Sequence, residues 1–501
     1  MSVSGTPNGG NMAIIVHTNK EELEYDIWTL IRAFYPKREV LVNNEKIAKY
    51  SGETYFTIYV QVDGAEDRVT HICSYIKGTG IIEEKSCDYE NIKEAKNQIK
   101  RQIYTILNRY SEITLPWGIL TGIRPAKLAV AKLESGAGDD EVRKYLKEEY
   151  FVTDKKIELG LEIAKREIEL LKDIDYENGY SLYIGIPFCP TTCLYCSFTS
   201  YPVSAYKEKS DLYVDAVIQE IEFAREAFKE KKLNAVYFGG GTPTALEAYQ
   251  LEKLLKEIRE KFDFTYCKEF TVEAGRPDSI TEDKLLVLKK YGVTRISINP
   301  QTMKQRTLDI IGRKHTVEDV IEKFNLARSI GFDNINMDFI VGLPDETYED
   351  VENSMKEVLR LNPDSITIHS LAIKRASRLN MFHNNYKEMT IENNMEIMNM
   401  TEKYAREMNM GPYYMYRQKN MAGNMENVGY ARVDKAGIYN ILIMEEKQTI
   451  LALGAGAVTK YVFPQGGRIE RVDNVKNVDQ YIDRISEMIK KKREFLWKML
   501  S

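Results

Sequence analysis

The sequence predicts an α/β protein built around a partial (β/α)6 barrel, and three observations predict it. Six short β-rich segments recur between residues 181 and 371. Helical stretches such as LEKLLKEIREKF and TEDKLLVLKKYG lie between consecutive segments. The residues whose types suggest chemistry fall at or near the carboxyl ends of those strands. Strand–helix alternation of this kind builds a parallel sheet through right-handed crossovers. Six units close only partway round a barrel, and in such folds chemistry collects at the carboxyl edge.

Each part of the chain can be justified in order. Residues 1–87 read as an N-terminal α+β domain: MAIIVHT, TYFTIYVQV and VTHICSYIK alternate with period two, and the amphipathic EYDIWTLIRAFY lies between the first two. Residues 88–178 read as a helical connecting region, because YENIKEAKNQIKRQIYTILNRY and KKIELGLEIAKREIELLKDI space their apolar residues at three and four. Between them, LPWGILTGIRPAK reads as a helix–helix connection in preference to a binding loop. Residues 179–375 form the partial barrel, with strands at SLYIGIP (181–187), NAVYFGG (234–240), EFTVEA (269–274), RISINP (295–300), NINMDFIVG (334–342) and SITIHSL (365–371). Residues 376–501 read as an α+β C-terminal domain that closes the barrel mouth. Ten of the 18 methionines lie between Met381 and Met425. Adaptable core explains them better than a compliant wall for a flat ligand.

Composition narrows the function. A chain of 501 residues exceeds one ordinary core. With 70 Lys+Arg against 75 Asp+Glu, the formal charge of −5 argues against a nucleic-acid partner. The first twelve residues lack a signal-peptide pattern. TILALGAGAV (449–458) is too short and glycine-rich to span a membrane, so a cytoplasmic protein is expected. Disulfides are rare there, and clustered cysteines read as metal-binding or catalytic. Cys73, Cys87 and Cys267 stand alone and read as small buried hydrophobes.

Cys189, Cys193 and Cys196 lie in FCPTTCLYC. Structural zinc takes four protein ligands, and no histidine lies nearby to complete such a set. Three thiolates suit an iron–sulfur cluster better, one held at three corners with one iron open to a small molecule. GGGTPT follows the second strand; Glu273 ends the third; Asn299 and Gln301 lie at the end of the fourth; Asp338 is in the fifth and His369 in the sixth. Read alone, each acidic residue serves equally well as half of a salt bridge. His315 and His369 read as helix-start and strand residues without assigned roles.

CPTTCLYC resembles the CxxxCxxC signature of radical S-adenosylmethionine enzymes, with Tyr195 before the last cysteine, and FGGGTPT resembles their glycine motif. YIGIPFC, GGGTPT, GRKHT, DFIVGLP and LGAGA together resemble the oxygen-independent coproporphyrinogen III oxidase family, and LPWGILTGIRPAK its HemZ-type branch. The resemblance implies a radical S-adenosylmethionine barrel whose [4Fe–4S] cluster is held by Cys189, Cys193 and Cys196. It implies S-adenosylmethionine contacts at Tyr183, Gly240, Gly241, Thr242, Glu273, Gln301, Arg313, Asp338, Ala372 and Val458. It further implies oxidative decarboxylation of two propionates of coproporphyrinogen III to vinyls by a 5′-deoxyadenosyl radical, with electrons from a reductant such as flavodoxin or ferredoxin. Phe198 stands where well-studied oxidases carry a fourth, non-ligand cysteine, which leaves open a haem-binding chaperone of the same fold or another tetrapyrrole substrate. In YMYRQKN (414–420), Arg417 and Lys419 are candidate propionate partners, although a solvated pair of charges is the plainer reading.

Overall fold

The computed structural model describes residues 12–500 except 37, 44–46, 49, 65–68, 89–90, 123, 375–376, 382–388, 419–420, 422–424 and 464–467. The chain forms two compact units, Met1–Glu162 and Ile163–Ser501.

The first unit holds a five-stranded sheet in the order β2-β1-β3-β4-β5. Its strands are β1 (Ala13–Thr18), β2 (Val40–Val42), β3 (Thr54–Gly64), β4 (Val69–Ile76) and β5 (Ile82–Asp88). Period-two alternation puts Ile14 and Val16, then Phe56, Ile58 and Val60, then Ile72 and Ile76 into one core with Ile27, Leu30 and Ile31 of helix Glu24–Phe34. Ser74 Oγ donates to Gln102 Oε1 at 2.8 Å, which marks the face that packs on helix Ile92–Ser111. Cys73 is half-buried rather than buried, because it points to the opposite face, across from Glu84 of β5. The side chain of Cys87 lies outside the described residues. LPWGILTGIRPAK does join two helices, Ile92–Ser111 and Lys127–Glu134, with Leu115, Trp117 and Ile119 buried and Ile123 outside the described residues.

In the second unit all six barrel segments form strands: β6 (Gly179–Ile186), β9 (Lys232–Gly240), β10 (Glu269–Gly275), β11 (Arg295–Ile298), β12 (Ile335–Val341) and β13 (Ser365–Ser370). They are parallel neighbours in sequence order. Helices cover them, and the strands are buried nearly throughout, as parallel strands with both faces covered must be. Three of the crossover helices start in capping boxes, Glu247 with Gln250, Thr316 with Asp319 and Thr347 with Asp350. Between β6 and β9 a short bridge pairs β7 (Phe188–Cys189) with β8 (Tyr201–Pro202).

The C-terminal segment adds strands to both ends of this sheet. Next to β13 lie β15 (Asn427–Ala431) and β14 (Gly411–Tyr416), both antiparallel to their neighbours. Next to β6 lie β16 (Thr449–Leu453), β17 (Val458–Val462) and β18 (Ile469–Asp473). β16 runs parallel to β6, so TILAL, read above only as a membrane-span candidate, is a seventh parallel strand. Among the described residues no helix is long and apolar enough to cross a membrane. Met398, Met400, Met408, Met410, Met415, Met421 and Met425 are buried, in keeping with a core role, and Met381 is exposed. Cys267, expected buried, is half-buried in the turn before β10, its Sγ donating to the Glu269 carbonyl at 3.2 Å.

One buried ion pair ties the addition beside β6 to its neighbours. Glu220 and Lys492 are both fully buried, with Oε1 and Nζ 2.7 Å apart. Glu220 also accepts from the Gly454 amide at 2.8 Å, the Asn474 side-chain amide at 3.0 Å and the Tyr481 hydroxyl at 2.5 Å. Lys492 Nζ donates in addition to the Ala452 carbonyl at 2.6 Å. The pair thus joins helix Ser210–Ala227, the turn after β16 and helix Ile485–Leu500. Removing one partner strands a charge in a dry interior. Lys492→Met is therefore expected to destabilise the second unit by about 3–5 kcal/mol, measured as a lower urea midpoint for its transition. The double variant with Glu220→Leu is expected to lose less than the sum of the two single losses, and additive losses would contradict the pairing.

Candidate active site

The cysteine segment leaves β7 and returns at β8, where the Tyr201 amide donates to the Pro187 carbonyl at 2.8 Å. Its middle is pinned by Leu194. The Leu194 amide donates to Ile311 O at 2.9 Å, its carbonyl accepts from the Leu379 amide at 2.9 Å, and its side chain packs with Leu308, Ile311, Leu343 and Leu371. Thr191 Oγ1 donates to the Gly312 carbonyl at 2.9 Å. With the backbone held in this way, the three thiols point into one cavity of about 370 Å³. They line its wall rather than meet at a point, since no three Cys, His, Asp or Glu side chains among the described residues converge on a single-ion site.

The end of β9 forms the adjoining wall. Gly240 has φ +111°, and a Cβ on Gly241 would sit 2.6 Å from the Phe188 carbonyl oxygen and 2.9 Å from Cys189 Sγ. Glycine is required here because the backbone itself approaches the cysteine segment. Thr242 Oγ1 donates to Cys189 Sγ at 3.5 Å. Burial pushes the Cys189 thiol up to about 11, and burial raises the Cys196 thiol as well. Gathered, buried thiols of this kind suit a metal cluster, whose own charge deprotonates its ligands outright.

Cys189, Cys193, Cys196, Gly240, Gly241, Thr242, Glu273, Gln301, Arg313, Asp338 and Ala372 all line this cavity, drawn from the six barrel strands and the segments that follow them. Burial raises the Glu273 carboxyl to about 7, and nearby Asp338 adds to the rise against a hydrogen bond from the Tyr237 hydroxyl. Burial also pushes Asp338 upward, but His369, Asn336 and Thr367 more than offset it and leave that carboxyl below its ordinary value. His369 Nε2 lies 3.7 Å from Asp338 Oδ2 and Asn336 Nδ2 2.7 Å from Oδ1. Gln301 holds a left-handed φ of +70°, fixed because its amide and carbonyl bond Asp338 and Ile340 of β12. Arg313 is buried beside Cys193 and Tyr195, with Nη1 on the Asn299 and Pro300 carbonyls. Its Nε has no hydrogen-bond partner among the described residues, and the guanidinium also hydrogen-bonds Cys193.

Two candidates do not reach the cavity wall. Tyr183 is not on it: its ring lies nearly parallel to those of Tyr237 and Tyr439, at centroid distances of 6.3 and 6.2 Å, while those two stack on each other at 4.4 Å. Val458 starts β17, is 39% exposed and pairs with Asp473. Nor is Arg417 a solvated charge: it is buried, faces Glu426 and does not line the cavity. Lys419 lies outside the described residues. Of the histidines, His369 lines the cavity, whereas His315 is buried without a partner on either ring nitrogen among the described residues.

Sequence reading also missed lining residues. Tyr237, Tyr414 and Tyr416 form an aromatic wall, Met444 is its methionine, and Lys374 stands half-buried with Nζ 5.5 Å over the Phe198 ring. Arg276 lines the wall beside Cys193. Nothing in the local pattern distinguishes these side chains from ordinary strand and surface residues.

Residues 183–358 match the radical SAM superfamily. The oxygen-independent coproporphyrinogen-III oxidase-like protein HemZ of Bacillus subtilis (strain 168) is 39% identical over 95% of this chain and 96% of its own length. The chain belongs to the HemZ branch of the oxygen-independent coproporphyrinogen III oxidase-like family. The heme chaperone HemW of the same organism is 33% identical over 61% of this chain and 76% of its own. The solved structure of coproporphyrinogen III oxidase (HemN) from Escherichia coli aligns with a TM-score of 0.50 at 25% identity, covering 62% of this chain and 70% of that one. The fold is therefore the radical SAM partial barrel, and the family's cofactors are a [4Fe–4S] cluster and S-adenosylmethionine.

Because Gly241 leaves no room for a side chain beside Cys189, Gly241→Ala should displace the cysteine segment. Iron retained after reconstitution is expected to fall about tenfold or more with far-UV circular dichroism preserved. Wild-type iron content in that variant would contradict the close approach.

Proposed function

We propose that this HemZ-branch protein converts propionate side chains of coproporphyrinogen III to vinyls by oxidative decarboxylation without oxygen, giving protoporphyrinogen IX. The observation that carries the reading is the shared cavity: three thiols, a glycine edge and two carboxylates of opposite pKa shift face one space. Cys189, Cys193 and Cys196 would hold the cluster at three corners, with Gly240 and Gly241 admitting S-adenosylmethionine close to the backbone. When bound, this cofactor pair supplies a carbon-centred radical able to take a hydrogen atom from the propionate β-carbon. Glu273 and Asp338 would accept from the nucleotide's ammonium and hydroxyl groups, and the Arg313 guanidinium would supply positive charge for its carboxylate. At the mouth, Lys374 and the exposed ring of Phe198 suit an anionic, flat-faced substrate better than Arg417, which is buried elsewhere. The tyrosine wall keeps the interior dry.

Anaerobic incubation of the reconstituted chain with coproporphyrinogen III, reductant and S-adenosylmethionine should release carbon dioxide and yield vinyl products. A second reading, a haem chaperone, is favoured by the similarity to HemW and by Phe198. Tight haem binding with no vinyl product after such an incubation would select it.

Glu273 makes the cofactor site pH-sensitive. An ammonium group docks on its carboxylate form, and burial raises that carboxyl to about 7. Affinity for S-adenosylmethionine should thus be full above pH 7 and fall by about tenfold per unit below it, read by equilibrium dialysis. Glu273→Gln should bind more weakly and lose this dependence; an equally steep profile in that variant would exclude Glu273.

A further inference from the structure

We infer that Arg276 is a positioning residue that raises the reduction potential of the cluster, acting through Cys193; the inference rests on the ligand set proposed above. Arg276 follows the last residue of β10, and its side chain is 2% exposed. One edge of the guanidinium is clamped by Asp278, with Nε 2.9 Å from Oδ1 and Nη2 2.6 Å from Oδ2. Such a two-point fork fixes the plane of the group. The carboxylate is held in turn by the short turn Pro277–Ser279, where Ser279 Oγ donates to the Arg276 carbonyl at 2.7 Å.

The remaining edge is aimed at the cysteine segment. Nη1 donates to Thr191 Oγ1 at 2.6 Å and to the Thr191 carbonyl at 3.1 Å. The same nitrogen makes a long, buried N–H···S contact of 4.0 Å to Cys193 Sγ. Arg276 therefore orders the loop between the first two cysteines and places a positive charge beside a sulfur, with Asp278 on the far side of the guanidinium. Arg313 flanks the same cysteine from the end of helix Gln305–Ile310. Reduction adds one electron to the cluster. In a buried site a nearby cation stabilises that added charge, and hydrogen bonds to the sulfurs act in the same sense. The nearer guanidinium outweighs the more distant carboxylate, which opposes it.

This geometry predicts opposite signs for two substitutions, which a merely structural role would not produce. Spectroelectrochemical titration of the anaerobically reconstituted chain, with dithionite and viologen mediators, reads the midpoint potential directly. Relative to wild type, Arg276→Gln should be more negative and Asp278→Asn more positive, while Arg276→Lys should lie nearer to wild type than Arg276→Gln. Iron and sulfide per chain are measured alongside. If Arg276→Gln holds no cluster, Arg276→Lys and Asp278→Asn carry the test, and a positive shift in Asp278→Asn supports the inference. Unchanged potentials, or shifts of one sign in both charge-removing variants, overturn it. Failure of the wild-type chain to assemble any cluster would instead remove the ligand set, and this inference with it.

Discussion

The site depends on a close backbone approach at the end of β6. On one side the Gly241 amide donates to the Ile186 carbonyl at 2.7 Å and the Thr242 amide to the Phe188 carbonyl at 2.7 Å. On the other side the turn after β16 presses in: a Cβ on Gly454 would lie 2.4 Å from the Gly185 carbonyl oxygen. Glycine turns therefore grip the strand end on both flanks, and only residues without a side chain can do so. The Gly454 amide is itself held by Glu220. A route of direct contacts thus runs from the buried Glu220–Lys492 pair through Gly454 to β6 and on to Cys189. The C-terminal helix, remote in sequence from the cysteines, is mechanically close to them.

Inside the cavity the charges are segregated. Arg276, Arg313 and Lys374 stand on the side of the cysteine segment, and Glu273 and Asp338 stand with the tyrosines, where Arg295 is the one cation among the described lining residues that breaks the pattern. The two carboxylates differ because their partners differ. Among the described residues Glu273 receives the Tyr237 hydroxyl and feels Asp338 and His369, whereas Asp338 has His369 and Asn336 as direct partners. Environment alone sets two like groups apart in this way, one held anionic and one responsive near neutrality. A ligand with a cationic and an anionic end finds a complementary field here, and a cluster finds cations that offset its negative charge.

The same physics explains what could be read from the sequence. The six barrel strands were legible because parallel strands covered on both faces are short, nearly continuous apolar runs bounded by turns. β16 has the same character but is followed at once by LGAGA, so it resembled an isolated apolar patch, and β2 and β5 were missed because one is three residues long and the other is charged. The cysteines and glycines were legible because their spacing is local. Arg276 and Lys374 were not, since Arg and Lys are solvated by default and only tertiary structure decides which of them face a cavity. Arg417 misled for the same reason in reverse, its burial against Glu426 being invisible locally. Val458, assigned by resemblance, stands half-exposed on an antiparallel strand.

An open parallel sheet also has two edges, each a row of unpaired backbone groups that invites association with another chain. Here both are occupied by the chain itself. β13 is continued by β15 and β14, and β6 by β16, β17 and β18, giving eleven strands in one sheet. The switch to antiparallel pairing at β15 and β17 lets short connections do this without further crossover helices. The additions also bring side chains to the cavity: Tyr414 and Tyr416 from β14, Asn427 from β15, and Asn440, Ile443 and Met444 from helix Ile438–Glu445. At the β13 edge, covering the sheet and furnishing part of the cavity wall are therefore done by the same two strands. A change that loosens β14 would expose a sheet edge and wet the site together, which couples the stability of this segment to the chemistry of a cavity whose reactive groups lie on other strands.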